Sequence, residues 1–353
     1  MCATLAGAQE PPLRVAIAGL AHGHVKGFLK GLQARKDVKL VGVFDPDPSL
    51  HKKYGDMYGI SSDLFFTDLD TMLDKVKPEA VATFTPTIDH PMVVEAGAKR
   101  KITVMMEKPM AVSMDHARAI QKAAASSGIS VIVNYETTWY PSHREMHGLI
   151  KDHKTMGDIR KMVAMDGHQG PKEINTPPEF FGWLNDPVKN GAGALFDFGC
   201  YGANLMTWMM DNQRPIRVTA MTQHIKPEIY THVEDEATIL VEYPKAQGII
   251  QGSWNWPFAR KDFEVYTQKA YAYAIGGDML RVRMPEQKVE KVPKLPMNPP
   301  DDRNSVSYLI SVARGRRKPE GLSSVENNMI VTEILTSARE SARTGHAVDL
   351  PKN

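Results

Sequence analysis

The run Leu13-Arg14-Val15-Ala16-Ile17-Ala18, stopped by Gly19 and followed at once by Leu20-Ala21-His22-Gly23-His24, constrains this chain more than any other feature. An apolar strand that ends in glycine and gives way to a helical pattern at Val25-Lys26-Gly27-Phe28-Leu29 reads as strand, tight turn and helix. The spacing is close to G-x-G-x-x-G, with Ala21 where the middle glycine would stand. The first glycine permits the turn, and the N–H groups at the helix start, from His22 to His24, can hold a pyrophosphate. Ala21 adds only one methyl where the backbone must approach a diphosphate. Glycines also serve ordinary strand-to-helix turns, so the loop alone leaves both readings open.

Asp45 adds a second constraint. It ends the next apolar run, 38–44, just before Pro46, at the distance past the loop where a carboxylate bonds adenosine ribose hydroxyls and repels the extra phosphate of NADP. That favours NAD, while Lys52 and Lys53 keep NADP in view; as a turn-starting carboxylate Asp45 would have no ligand role. Further apolar runs at 80–84, 102–106 and 129–133 alternate with helical segments, which implies a parallel sheet covered on both faces. Thr85-Pro86 then falls at the carboxyl ends of the strands, where ligands bind in such sheets. His90 follows near a helix start, where it either faces the site or caps and packs.

After about residue 150 the pattern changes to strands with partial alternation at 159–167, 216–225, 237–243, 248–256, 263–266, 271–275 and 279–284, with few intervening helices. The fold class expected is therefore α/β: an N-terminal Rossmann parallel sheet, residues 12–150, then an α+β half on a large, mostly antiparallel open sheet, residues 151–353. A helix near 322–340 is free to pack back on the first half. With 43 Lys and Arg against 41 Asp and Glu, the net charge of +2 leaves no reserve for a nucleic-acid footprint. Two cysteines, Cys2 and Cys200, supply neither a disulfide framework nor a cysteine-rich zinc site. No stretch is long and apolar enough for a membrane span. The first nine residues read as a frayed terminus of a cytoplasmic protein, or as the remnant of an export signal.

Chemistry concentrates in two places. Glu107-Lys108-Pro109 ends the run 102–106 at the rim of the crevice, where an ammonium can orient a substrate hydroxyl and favour its alkoxide; a Glu-Lys pair before proline is also a common surface turn. Downstream, a glycine-rich entry at 191–193 leads to Asp197 and Tyr201, four apart and so on one face of a helix. The phenol would exchange the substrate proton with a nearby ammonium lowering its pKa, and the carboxylate would accept sugar or polyol hydroxyls. The alternative is a helix-start carboxylate and a packed tyrosine. Trp183, in Phe180-Phe181-Gly182-Trp183-Leu184, would stack on a sugar face or pack in the core.

Taken together, Gly19-x-Ala21-x-x-Gly23, Asp45, Thr85-Pro86, Glu107-Lys108-Pro109 and Asp197-x-x-x-Tyr201 resemble the glucose-fructose oxidoreductase, inositol dehydrogenase and rhizopine-catabolism oxidoreductase family over nearly the whole chain. The resemblance implies NAD or NADP as cofactor, hydride transfer at carbonyl and hydroxyl carbons of sugars and polyols, and a homodimer or homotetramer formed through the open sheet. It makes Lys108 the catalytic lysine and Asp197 the substrate-binding aspartate. Tyr201 stands where many members have histidine, which resembles the tyrosine-containing branches. Two further readings share the fold: an NAD-retaining glycoside hydrolase that works by transient oxidation, and a cofactor-binding regulator without catalysis. His22 and His24, like His143 and His147, have a spacing a metal could use, but no motif accompanies them and no metal is expected.

Overall fold

The computed structural model describes residues 10–152 and 156–351, so Cys2 and the opening segment 1–9 lie outside the described residues. The first half runs β1 (Leu13–Ala18), α1 (Val25–Gln33), β2 (Val38–Phe44), α2 (Pro48–Tyr58), β3 (Phe65–Phe66), α3 (Leu69–Val76) and β4 (Ala80–Thr83). It continues through α4 (His90–Lys99), β5 (Thr103–Glu107), α5 (Met114–Ser127), β6 (Val131–Asn134) and α6 (Pro141–Asp152). The six strands form a parallel sheet in the order β3-β2-β1-β4-β5-β6. β1 and β4 are almost wholly buried, as strands covered by helices on both faces must be.

The second half begins with β7 (Ile159–Gly167) and then four helices: α7 (Pro178–Leu184), α8 (Pro187–Asn190), α9 (Ala194–Asp197) and α10 (Gly199–Met209). The expectation of few helices here fails, because α7, α8 and α9 are too short to show a helical period in sequence. There follow β8 (Arg217–Gln223), β9 (Glu236–Glu242), β10 (Gln247–Ser253), β11 (Arg260–Thr267), β12 (Tyr271–Ile275) and β13 (Met279–Arg283). The chain closes on α11 (Ser305–Ala313), α12 (Val325–Thr344) and β14 (Val348–Asp349). The sheet order is β13-β12-β11-β7-β10-β9-β8-β14, with only the β7–β10 pair parallel.

One face of this sheet carries α10, and the approach is close. A Cβ at Gly202 would stand 2.7 Å from Ala164 Cβ on β7 and 2.7 Å from Ile250 Cγ2 on β10. That glycine therefore sets the depth at which the segment 197–201 sits over the strands. The C-terminal helices join the two layers: α11 packs on α1 and β5, while α12 packs on α5 and β6 of the first half and on α10 and β8 of the second. Ser324 caps α12 through the Asn327 N–H at 3.1 Å, and Gly345, at φ 72°, ends it.

Candidate active site

The glycine loop is held from both sides. Gly19 has φ 91°, and a Cβ there would lie 2.6 Å from the Thr85 backbone nitrogen, so glycine is required for the turn to pack against the end of β4. Asp45, buried at the end of β2, accepts the Leu20 N–H at 2.7 Å through Oδ2 and the Asp47 N–H at 2.9 Å through Oδ1. Burial pushes its carboxyl up, against these bonds. Each oxygen keeps a second acceptor position. The two lysines nearby are taken: Lys52 pairs with Asp56 at 2.7 Å and Lys53 with Glu179 of α7 at 2.7 Å.

A histidine and aromatic cluster covers the helix end of the loop. His22 packs against Phe180 at 4.5 Å and Trp183 at 5.5 Å between ring centroids, and the Trp183 indole donates to the Ala21 carbonyl at 3.3 Å. Trp183 thus serves the loop from the core side, in agreement with the packing alternative. Burial holds His22 well below its usual pKa, hence neutral, and its Nδ1 accepts the His24 N–H at 3.2 Å. Its proton is therefore on Nε2. His24 Nδ1 meets Glu107 Oε2 at 2.9 Å, and Glu107 Oε1 accepts from Asn134 at 2.7 Å. Ligand atoms of His22, His24 and Glu107 lie within 4.8 Å of one another, the reach of a metal site. The Nδ1 atoms of the two rings are engaged, that of His22 by a backbone N–H and that of His24 by the Glu107 carboxylate.

Thr85 is buried, with its hydroxyl 3.0 Å from that of Thr83, and Pro86 leads into α4. His90 opens α4 fully buried, pushed down to about 4 by burial and hence neutral, with Nδ1 on the Met110 carbonyl at 3.1 Å. Its Nε2 is a buried acceptor with no partner among the described residues. Gly19 packed on Thr85, Asp45 at the strand end and the unfilled acceptor of His90 together fit a nicotinamide dinucleotide laid across the crevice.

Lys108, after β5, is the point where the two halves meet. Its Nζ donates to Asp197 Oδ1 at 2.5 Å and to the Asp197 carbonyl at 2.8 Å. Burial alone would push the ammonium down, but the Asp197 carboxylate holds it above its usual value, and the same pairing holds Asp197 below the usual carboxylate range despite burial. The other oxygen of Asp197 takes the Trp254 indole N–H at 2.9 Å.

Asp197 and Tyr201 do not share one unbroken helical face. The helix breaks at Phe198, φ −108°, and the Tyr201 N–H bonds the Phe198 carbonyl at 3.1 Å. The Asp197 carbonyl receives the Lys108 ammonium and the Cys200 thiol instead. Tyr201 is buried, and burial raises its phenol well above 10, which corrects the expectation that a neighbouring ammonium lowers it. Lys108 does stand near, with Nζ 4.9 Å from the ring centroid. Glu136, after β6, also converges here, with three residues not foreseen: Lys261 of β11, with Nζ 4.9 Å from the same ring, His168 after β7, and Asp166 of β7. Asp166 and Lys261 are register partners on the face that carries α10, and a charged residue at an inward position of an alternating strand was the available signal.

Comparison with known proteins places this geometry in a class. The model described as "Oxidoreductase family, NAD-binding Rossmann fold" matches residues 13–135, and the "GFO/IDH/MocA C-terminal domain" matches residues 143–273. The chain belongs to the GFO/IDH/MocA oxidoreductase family. Among curated relatives it is 25% identical to dTDP-3,4-didehydro-2,6-dideoxy-alpha-D-glucose 3-reductase of Streptomyces antibioticus, over 54% of this chain and 55% of that one. It is 34% identical to D-glucoside 3-dehydrogenase of Escherichia coli (strain K12), over 54% and 52%. The chain spans about half the length of these curated relatives. An inositol dehydrogenase homolog complexed with NAD+ from Azotobacter vinelandii shares the fold, with TM-score 0.81, 19% identity, and coverage of 96% of this chain and 97% of that one. No helix among the described residues is long and apolar enough to cross a membrane.

Proposed function

We propose that the protein is an NAD-dependent oxidoreductase that moves hydride between nicotinamide and a hydroxyl or carbonyl carbon of a neutral sugar or polyol. One observation carries this reading: the Lys108 ammonium of the dinucleotide half is bonded to Asp197 of the other half at 2.5 Å, beside Tyr201. The bound nicotinamide supplies the hydride chemistry. Lys108 holds the charge that grows on the substrate oxygen, Tyr201 exchanges the proton at that oxygen, and Asp197 orients the ammonium and accepts from substrate hydroxyls. Residues 12–150 form the dinucleotide half and 151–353 the substrate and association half. NAD is favoured over NADP because Asp45 opposes a 2′-phosphate and Lys52 and Lys53 are already paired with carboxylates.

Tyr201 aligns the chain with the tyrosine-containing branches of its family. The relatives described above include a 3-reductase of a deoxyglucose nucleotide and a D-glucoside 3-dehydrogenase, which supports a sugar as substrate. Exposed Met221 and Leu240, with the Tyr266, Tyr271 and Tyr273 ring cluster, leave an apolar outer sheet face that supports a homo-oligomer. The testing experiment is a fluorescence titration of cofactor-stripped protein with NADH and with NADPH, then NAD reduction on a panel of aldoses, glucosides and inositols. NADH preference and turnover on a panel member are expected. Binding of neither dinucleotide would overturn the reading.

A further inference from the structure

Two ammonium groups stand close to the Tyr201 ring. Lys108 and Lys261 each place Nζ 4.9 Å from its ring centroid, yet they come from different halves and have different partners. Lys108 is bound to Asp197, a buried carboxylate with both oxygens occupied by Lys108 and Trp254. Lys261 is ion-paired to Glu136, whose side chain is half exposed and whose other oxygen accepts the Tyr140 hydroxyl at 2.7 Å. Glu136 also lines a cleft of about 630 Å³ bounded by His24, Glu107, Asn134 and Trp139.

From this arrangement we infer that Lys261 and Glu136 are the positioning pair that sets the proton affinity of Tyr201, Lys261 favouring the phenolate and Glu136 opposing it. The inference rests on Tyr201 as the proton-exchanging group of the proposed reaction. In the reducing direction a bound reduced nicotinamide would give up the hydride that becomes the new C–H bond at the carbonyl carbon and would itself be oxidised, while the Tyr201 O–H bond breaks and its proton passes to the carbonyl oxygen. The phenolate left behind carries one negative charge next to two ammonium groups. Its proton is replaced from solvent on the side of the cleft that Glu136 borders. Without Lys261 only Lys108, held by Asp197, would face that charge.

The other charged and titratable groups around the ring are Glu107, Asp197, Cys200 and Tyr135, and around Lys261 they are Asp166, His168, Arg260 and Asp262. Asp166 is directly across the ladder from Lys261, fully buried, with neither carboxyl oxygen partnered among the described residues. Burial pushes that carboxyl well above the usual range against the pull of Lys261, so its charged form is disfavoured beside this cation. Glu136 is thus the carboxylate that competes with the phenol for this cation.

The test reads Tyr201 directly. With 3,5-difluorotyrosine incorporated at position 201 of the full chain, fluorine NMR follows its ionisation across pH. Lys261→Met should raise the apparent pKa by about one unit or more, Glu136→Gln should lower it, and Lys261→Arg should leave it near the parent value. An unchanged pKa in Lys261→Met, or shifts of the same sign in Lys261→Met and Glu136→Gln, would overturn the inference, because a general loosening of the site moves both the same way. Lys261→Arg keeps the charge and serves as the folding control. The titration needs neither substrate nor turnover, so it stands apart from any failure to find a substrate.

Discussion

Asp45 Oδ2 accepts the Leu20 N–H at 2.7 Å across 25 residues of sequence, so the carboxylate that would meet a ribose also fixes the glycine loop. Replacing it removes two things together. Asp45→Ala should weaken NADH binding about 10- to 100-fold, the loss of a charge-assisted hydrogen bond of about 1.5–3 kcal/mol. The ratio of NADPH to NADH affinity should rise, since the repulsion of a 2′-phosphate goes with the charge. Parallel fluorescence titrations of both dinucleotides check this; an unchanged ratio would remove Asp45 from the ribose site.

Lys108→Met removes the ammonium and keeps the aliphatic stem. Turnover should fall by about 10²–10³-fold, in line with loss of one preorganised charge stabiliser, while NADH affinity is held. Stopped-flow measurement of NADH formation and a binding titration on the same sample separate the two effects. The variant also strands the Asp197 carboxylate, so a lowered Tm is expected, and Lys108→Met with Asp197→Asn should recover part of it.

Gly19→Ala puts a methyl 2.6 Å from the Thr85 nitrogen at φ 91°, where an L side chain is strained. The loop must shift, and both Tm and NADH affinity should drop, whereas Gly59→Ala at φ 62°, with open space around it, should lower Tm alone. Thermal melts with and without NADH distinguish the two positions.

Glu234 gives a pH signature. It is buried, its Oε1 accepts the Gly193 and Leu195 N–H groups at 2.8 and 2.9 Å, and burial pushes it up to about 7 from 4.5. A folded-state value above the unfolded one means that the protonated form favours folding; this advantage is complete below about 4.5 and is lost as pH rises through about 7. Glu234→Gln keeps the acceptor oxygen and cannot ionise. Its Tm relative to the parent should climb between pH 4.5 and 7 and level off above, with a limit of about 3 kcal/mol from 1.36 kcal/mol per unit. A flat difference across that range would show that Glu234 does not titrate there.

The first half was legible in the sequence because its signals are local. Apolar runs buried on both faces, Gly19 at the turn and Asp45 before Pro46 are each read within a few residues, although Gly19 packs on Thr85 and Asp45 binds Leu20 at longer range. The second sheet was readable from alternation, and its strands fall within a few residues of expectation. The stretch between β7 and β8 was not. Its helices are short, and at the end of α9 the Asp197 carbonyl is met by Lys108, 89 residues earlier in the chain. Lys261 escaped notice for a related reason: its place beside Tyr201 follows from a ladder register and from packing between elements, which no spacing encodes. Tyr201 was singled out by pattern, but burial, which the pattern does not show, raises its phenol where a lowered value was expected.

The bond from Lys108 to Asp197 crosses between two halves that have separate sheets, and this limits how the protein can be rebuilt. A chimera that joins residues 12–150 to the second half of another protein inherits a lysine in need of a carboxylate at one position and depth. If the donor supplies Asp at the position of 197 without glycine at 202, the helix stands off the strands and the pair is stretched. Recombination between relatives should therefore tolerate exchange of the outer sheet strands and reject exchange of the short segment from 193 to 202 by itself.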